Sequence, residues 1–290
     1  MSTTTLSAGG ALLSAGQLLG VSDSYPALAT LRYAQDFIAA AGITDATQRE
    51  AARTFERRLL AAGVLDAYSR AACLDVAIWP LIGGSSSSHH VNFIDPSRDA
   101  LTFYGSPQHS STGIAWNGQQ YADTGVIPSQ RLIASDLRIS VYTRQARGNG
   151  DTMELGSQQG ANGLFLSSYS SFQNLPYSRT PGGDLPATDP APAGYFATST
   201  NQMAAGDVDI DTKLFFNGGV IGNAGSANDK PLGLSPLPVW LACLNLDGSF
   251  YGGTNRAASY YSIGRRYTLP QETAVFQAVQ ELQTTLNRAV

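Results

Sequence analysis

Residues able to do chemistry are few in this chain and loosely grouped. Cleaving a glycosidic bond takes a carboxyl group on either side of it, and the only glutamates are Glu50, Glu56, Glu154, Glu272 and Glu281. Four fall in stretches of helical spacing and Glu154 in a turn-rich run, so no two are set along a strand. Asp207, Asp209 and Asp211 alternate with Val208 and Ile210; in a strand all three carboxylates would leave one face and offer oxygen ligands to a cation. The run is not an EF-hand loop, since its sixth position is Thr212 and its twelfth Gly218. Carboxylates in water need no metal to coexist, so a solvated strand face is the plainer expectation, with no metal and no cofactor. His89, His90 and His109 have no cysteine or acid at zinc-ligand spacing and read as loop histidines. No G-x-S-x-G elbow backs any of the many serines.

Aromatic residues are the other chemistry on offer. Trp116 and Tyr121 flank Asn117-Gly118 and are expected to fill a core. Tyr251, Tyr260 and Tyr261, near Gly252-Gly253, are the candidate glycan contacts, because loops on a rigid scaffold carry recognition.

The elements that must position these groups are mostly strands. With 30 glycines and only 14% charged residues, the composition favours turns and strands over long surface helices. A net charge of -4 without a basic run gives no footprint for nucleic acid. No apolar run reaches the roughly 18 residues of a membrane span, and the first residues lack the basic start of a secretory signal, so a soluble, unprocessed protein is expected. Cys73 and Cys243 sit in apolar runs and read as buried thiols rather than a disulfide.

Residues 1 to about 25 carry almost no charge and are aperiodic; they read as an N-terminal arm that orders on a neighbour, with a frayed terminus as the alternative. Residues 26–72 form a helical segment: one helix from about Pro26 to Ala41, then a second with a Thr47/Glu50 capping box and a solvated face of Arg49, Arg53, Glu56, Arg57 and Arg58. Residues 73–290 are a run of strands closed by a helix. Asp75 to Ile82 is a strand stopped by Pro80 or the glycines after it, SSSSHH a loop, and Val91 to Ile94 a short strand. Asn117-Gly118 signals a hairpin. Leu137, Ile139 and Val141 alternate with Arg138, Ser140 and Tyr142, predicting a strand with one face in water. Gln145 to Gly163 reads as turns, Leu164 to Leu166 as a buried strand, Pro176 to Pro192 as a long exposed loop, and Val239 to Leu246 as a central apolar strand. At the end, Thr268 and Gln271 have capping-box spacing around Pro270, before a stripe of Val275, Phe276, Val279, Leu282 and Leu286.

Three stretches together carry a family resemblance. The segment from Ser111 to Arg144, the strand-NG-strand run from Asp209 to Ile221, and the strand-to-helix run from Tyr261 to Gln277 resemble a laminin-G type, concanavalin A-like jelly roll. GGSSSSHHVNFIDP, HSSTGIAWNGQQYADT and VFQAVQELQTTLNR resemble a recurrent class of tail or head proteins of tailed bacteriophages, over roughly Phe37 to Val290. The resemblance implies a mostly β, antiparallel jelly-roll sandwich with an N-terminal helical segment and a C-terminal helix. It also implies a structural protein of the virion (capsid, tail, fibre or decoration) that assembles with other virion proteins and with copies of itself. Glucanases of this fold carry E-x-D-x-E on one strand, which is absent here, so a non-enzymatic protein is expected. An adhesin binding host-surface glycan is the alternative, and a polysaccharide depolymerase a weaker one.

Overall fold

The structure, a computed structural model, describes residues 32–145, 152–170, 175–180, 183–186, 193–202, 210–225 and 233–290. The expected N-terminal arm lies outside these residues, as do Asp207, Asp209 and the side chain of Asp211.

In chain order, α1 (Arg32–Ala40) and α2 (Ala46–Ala61) come first, followed by β1 (Asp75–Trp79), α3 (Ser86–His89), β2 (Thr102–Tyr104) and β3 (Gln108–Ser110). Then come β4 (Gly113–Ala115), β5 (Tyr121–Asp123), α4 (Pro128–Arg131), β6 (Asp136–Thr143), β7 (Thr152–Gln159) and β8 (Asn162–Ser170). They continue with β9 (Leu175–Thr180), β10 (Gly183–Pro186), β11 (Gly194–Gln202), β12 (Ile210–Phe216) and β13 (Gly219–Gly225). The last are β14 (Trp240–Leu241), β15 (Leu244–Leu246), β16 (Ser249–Tyr251), β17 (Ala257–Gly264) and α5 (Leu269–Thr285).

The strands make two sheets. One runs β13-β12-β11-β6-β17-β4-β3, with β1 also on β17; the other runs β10-β9-β8-β7-β14-β5-β2, with the β15–β16 hairpin attached through β7. The mostly β sandwich is therefore as expected. Its inter-sheet core holds Leu137, Ile139 and Val141 of β6, Tyr261 and Ile263 of β17, and Leu155, Leu164 and Leu241 of the opposite sheet.

A second core sets the architecture that matters for function. Tyr142, Tyr195, Phe215 and Tyr260, on the outer face of the first sheet, pack against Phe37, Phe55, Leu59, Val275, Val279 and Leu282 of the helices. The described residues form three layers: helices, first sheet, second sheet. Among them, it is the second sheet that has no further layer on its outer face.

This arrangement corrects the expectation for β6, whose polar positions were predicted to face water. Arg138 is fully buried beneath α5, donating from Nε to Glu272 Oε2 at 2.7 Å and from Nη2 to Oε1 at 3.0 Å. The remaining donors go to Ser262 Oγ, Ser140 Oγ and the Tyr195 hydroxyl. A guanidinium can sit in a core when a bidentate carboxylate and hydroxyls take all its N–H groups. Glu56 is corrected in the same way: it is 1% exposed, and its carboxylate accepts the Tyr33 and Ala34 N–H groups at the start of α1. An acid there satisfies orphan amides and suits the positive end of the helix.

Local signals fared unevenly. Asn217 (φ 48°) and Gly218 (φ 78°) make the tight turn between β12 and β13, as the dipeptide predicts. The Thr268/Gln271 capping box is formed at the start of α5, and Phe276 is half-buried against Gly218 and Tyr195 rather than engulfed. By contrast, α2 is capped by Asp45, whose side chain accepts the Gln48 N–H, not by Thr47 and Glu50. Asn117-Gly118 takes its positive φ at Gly118 (82°) but joins β4 of one sheet to β5 of the other, so it is a crossing and not a hairpin. Ser86–His89 is a helical turn capped by Ser85. Val91 to Ile94 is not a strand, because the Asn92 side chain accepts the Ile78 and Ile94 N–H groups in place of a ladder. The runs expected as turns and exposed loop contain β7, β9 and β10. The apolar stretch from Val239 is split into β14 and β15 by Ala242 at φ 67°. Cys73 and Cys243 are buried and unpaired.

Candidate functional site

Burial removes several residues from consideration as surface contacts. Glu154 lies on β7 rather than in a loop, is fully buried, and accepts from Arg256 Nη1 at 3.1 Å. Glu272 is held by Arg138, so two of the glutamates are enclosed and salt-bridged where no water or sugar reaches them. Tyr260 and Tyr261, two of the glycan candidates, are also fully buried. The cause is topological: β17 is central and covered on both faces, so consecutive residues are enclosed, Tyr260 under Phe55 and Tyr261 between the sheets. Tyr251 is 45% exposed. It alternates along β16 with Phe250, so it points away from the ring that Phe250 touches.

The histidines are better organised than loop residues. Gly84 N–H donates to His89 Nε2 at 3.1 Å, which places the His89 proton on Nδ1, 3.0 Å from His109 Nδ1. The pair ties α3 to β3 with Phe103 edge-on to His109 at 4.6 Å, where edge strands of both sheets lie. It is a structural clasp, and the described residues hold no group of three metal-ligating side chains.

Burial, aided by the His109 and Arg288 charges, pushes His89 down to about 3. Burial pushes Asp75 up to about 7, against the pull of Arg138 and of the Tyr267 hydroxyl, with Glu272 adding to the rise. The two act oppositely on stability. A histidine depressed from about 6.5 contributes stability that is complete above that pH and lost as pH falls toward 3. A carboxyl raised from about 3.9 contributes stability that is complete below that pH and lost as pH rises to 7. Between pH 4 and 6.5 they offset. Relative to the unmodified protein, in which the two cancel, His89→Asn should therefore leave a fall in melting temperature as pH rises from 4 to 6.5, and Asp75→Asn a rise. Parallel curves for all three proteins would show that neither group titrates as described.

On the uncovered sheet, three aromatic rings stand in a row. Register sets Tyr104 of β2 opposite Tyr121 of β5, and Asp123 of β5 opposite both Thr102 of β2 and Trp240 of β14. Alternate residues Phe103, Ala122 and Leu241 enter the inter-sheet core, so the others share the outer face. Tyr104 and Tyr121 stack at 4.6 Å and 10°, Tyr121 and Trp240 at 4.3 Å and 25°, with Phe250 against Tyr121 at 5.9 Å. Strands about 4.8 Å apart bring standing rings into face-to-face contact. Tyr121, between the other two, thus has both faces covered. Tyr104, on the edge strand and 43% exposed, has no ring on its other face among the described residues.

Such a stack can be extended by one more flat, weakly polar ring. An aromatic face offers a sugar the contact its C–H groups need, at little conformational cost. Asp123 beside the row, partly exposed, supplies a hydrogen-bond acceptor.

Sequence reasoning missed Tyr104 and Trp240 and expected Tyr121 inside the core. Trp116 does lie in the core, but five residues later the chain has changed sheets and Tyr121 points outward.

No family model and no curated protein matches the chain. Among solved structures, domain 4 of AbnA, an extracellular GH43 arabinanase from Geobacillus stearothermophilus in complex with arabinotriose, aligns at TM-score 0.47. The identity is 13%, over 69% of this chain and 97% of that one. The CBM40 of the Ruminococcus gnavus IT-sialidase aligns at 0.40 and 15% identity, over 56% and 94% of the two chains. The receptor-binding domain of botulinum neurotoxin D aligns at 0.42 and 7%, over 70% and 52%.

Proposed function

We propose that the chain is a non-enzymatic structural component of a bacteriophage virion, and that the free end of its aromatic row binds a glycan of the host surface. The observation that carries the binding half is the stack of Trp240, Tyr121 and Tyr104, with the last ring half-exposed on an edge strand. Exposed large aromatics cost hydration, and three aligned at the rim of a sheet face that no further layer of the described residues covers form a place for a ring to dock. The virion half is supported by the sequence resemblance described above. The non-enzymatic half is supported by the fate of Glu154 and Glu272, which are locked in buried ion pairs.

Immunogold labelling of purified particles should place the protein on the exterior, and Tyr104→Ala should reduce binding of the purified protein to host cells without changing its melting temperature. Absence from particles would remove the virion assignment, and binding indifferent to Tyr104 would remove the docking role of the ring.

A further inference from the structure

We infer that the aromatic ledge accepts uncharged pyranosides and rejects acidic ones, an inference that rests on the glycan-binding reading above. Asp123 carries it. Its side chain leaves the same face as Tyr104 and Tyr121 and lies directly across from Thr102 on the edge strand and Trp240 on the inner one. Oδ1 accepts the Gly125 N–H at 2.8 Å. Oδ2 has no donor among the described residues, so it is left to accept a hydroxyl from a sugar seated beside the rings.

Among the described residues, no cation on the strands of the ledge answers a second negative charge. β2, β5, β14 and β16 contain no Lys, Arg or His. Lys213 and Arg266 are on another surface, lining a cavity of about 80 Å³ between β11, β12 and the start of α5, on the first sheet. Recognition of a sugar carboxylate ordinarily uses a cation, Arg above all, as its bidentate partner. Here the carboxylate of a uronic or sialic acid would meet a fixed anion flanked by aromatic rings, where repulsion is stronger than in bulk water. The same field reaches the neighbouring phenol: burial pushes Tyr121 up, and Tyr104, Cys243 and Asp123 add to it, so its hydroxyl stays a donor.

The test is a glycan microarray printed with neutral oligosaccharides and their uronic- and sialic-acid-bearing counterparts, probed with the full chain, Asp123→Asn and Tyr104→Ala. Neutral glycans should bind and Tyr104→Ala should abolish the signal. Asp123→Asn, which keeps the acceptor for Gly125, should raise binding of the acidic members about tenfold, the effect of removing one like-charge contact at partial exposure. Acidic glycans held as tightly as neutral ones through Tyr104 would overturn the charge selection while leaving the ledge a glycan site. No binding at all, or binding indifferent to Tyr104, would overturn the ledge itself and the selection with it.

Discussion

A Glu272→Ala variant should lose about 3 to 5 kcal/mol of stability, the cost of leaving one member of a buried ion pair without its partner. Arg138 would then sit fully enclosed with its main acceptor gone and only Ser140, Ser262 and Tyr195 to take its N–H groups. The pair bridges β6 and α5, so the same change loosens the helical layer from the first sheet. A double variant, Arg138→Met with Glu272→Leu, should recover most of the loss, because two apolar side chains of similar volume need no desolvation of charge. Urea denaturation measures both. A single variant within about 0.5 kcal/mol of the unmodified protein, the range of ordinary surface changes, would mean that the pair does not bear on stability.

Arg288→Met should cost about 3 kcal/mol, counting roughly 1 kcal/mol or more for each carbonyl that loses its donor. Arg288 is buried with no carboxylate partner among the described residues, and burial together with the Arg144 charge lowers it to about 9. Its Nη atoms donate to the Leu81, Pro80 and Ser259 carbonyls at 2.8, 2.7 and 3.3 Å. Those carbonyls lie where regular pairing fails, at the end of β1 and at the irregularity of β17 between Ala258 and Tyr260. The guanidinium thus completes backbone hydrogen bonding for two strands. Arg288→Lys should restore only part of the loss, since an ammonium cannot span three carbonyls set for a planar fork. Equal stability of the Met variant and the unmodified protein would show that water replaces these bonds.

What the sequence discloses depends on how local the cause is. The Asn217-Gly218 turn and the Thr268/Gln271 cap are settled by residues within four positions of one another, and both are found as read. Arg138 and Ser140 read as solvent-facing because their partners, Glu272 and Ser262, lie 134 and 122 residues further on. Asn117-Gly118 announces a positive φ correctly, yet a dipeptide says nothing about whether the next strand joins the same sheet. The aromatic row is the extreme case. Its rings come from residues 104, 121 and 240, and only the register of β2, β5 and β14 stands them in line. Tyr251, Tyr260 and Tyr261 looked more like a site because they cluster along the chain, but two of them are core.

The most direct test of the ledge is the position of a bound sugar. Crystals or isotope-labelled protein exposed to a neutral host-surface oligosaccharide should show a pyranose ring parallel to Tyr104 on its free face, with Asp123 Oδ2 accepting a hydroxyl. A sugar bound elsewhere on the molecule, with Tyr104 unchanged in environment, would contradict the account.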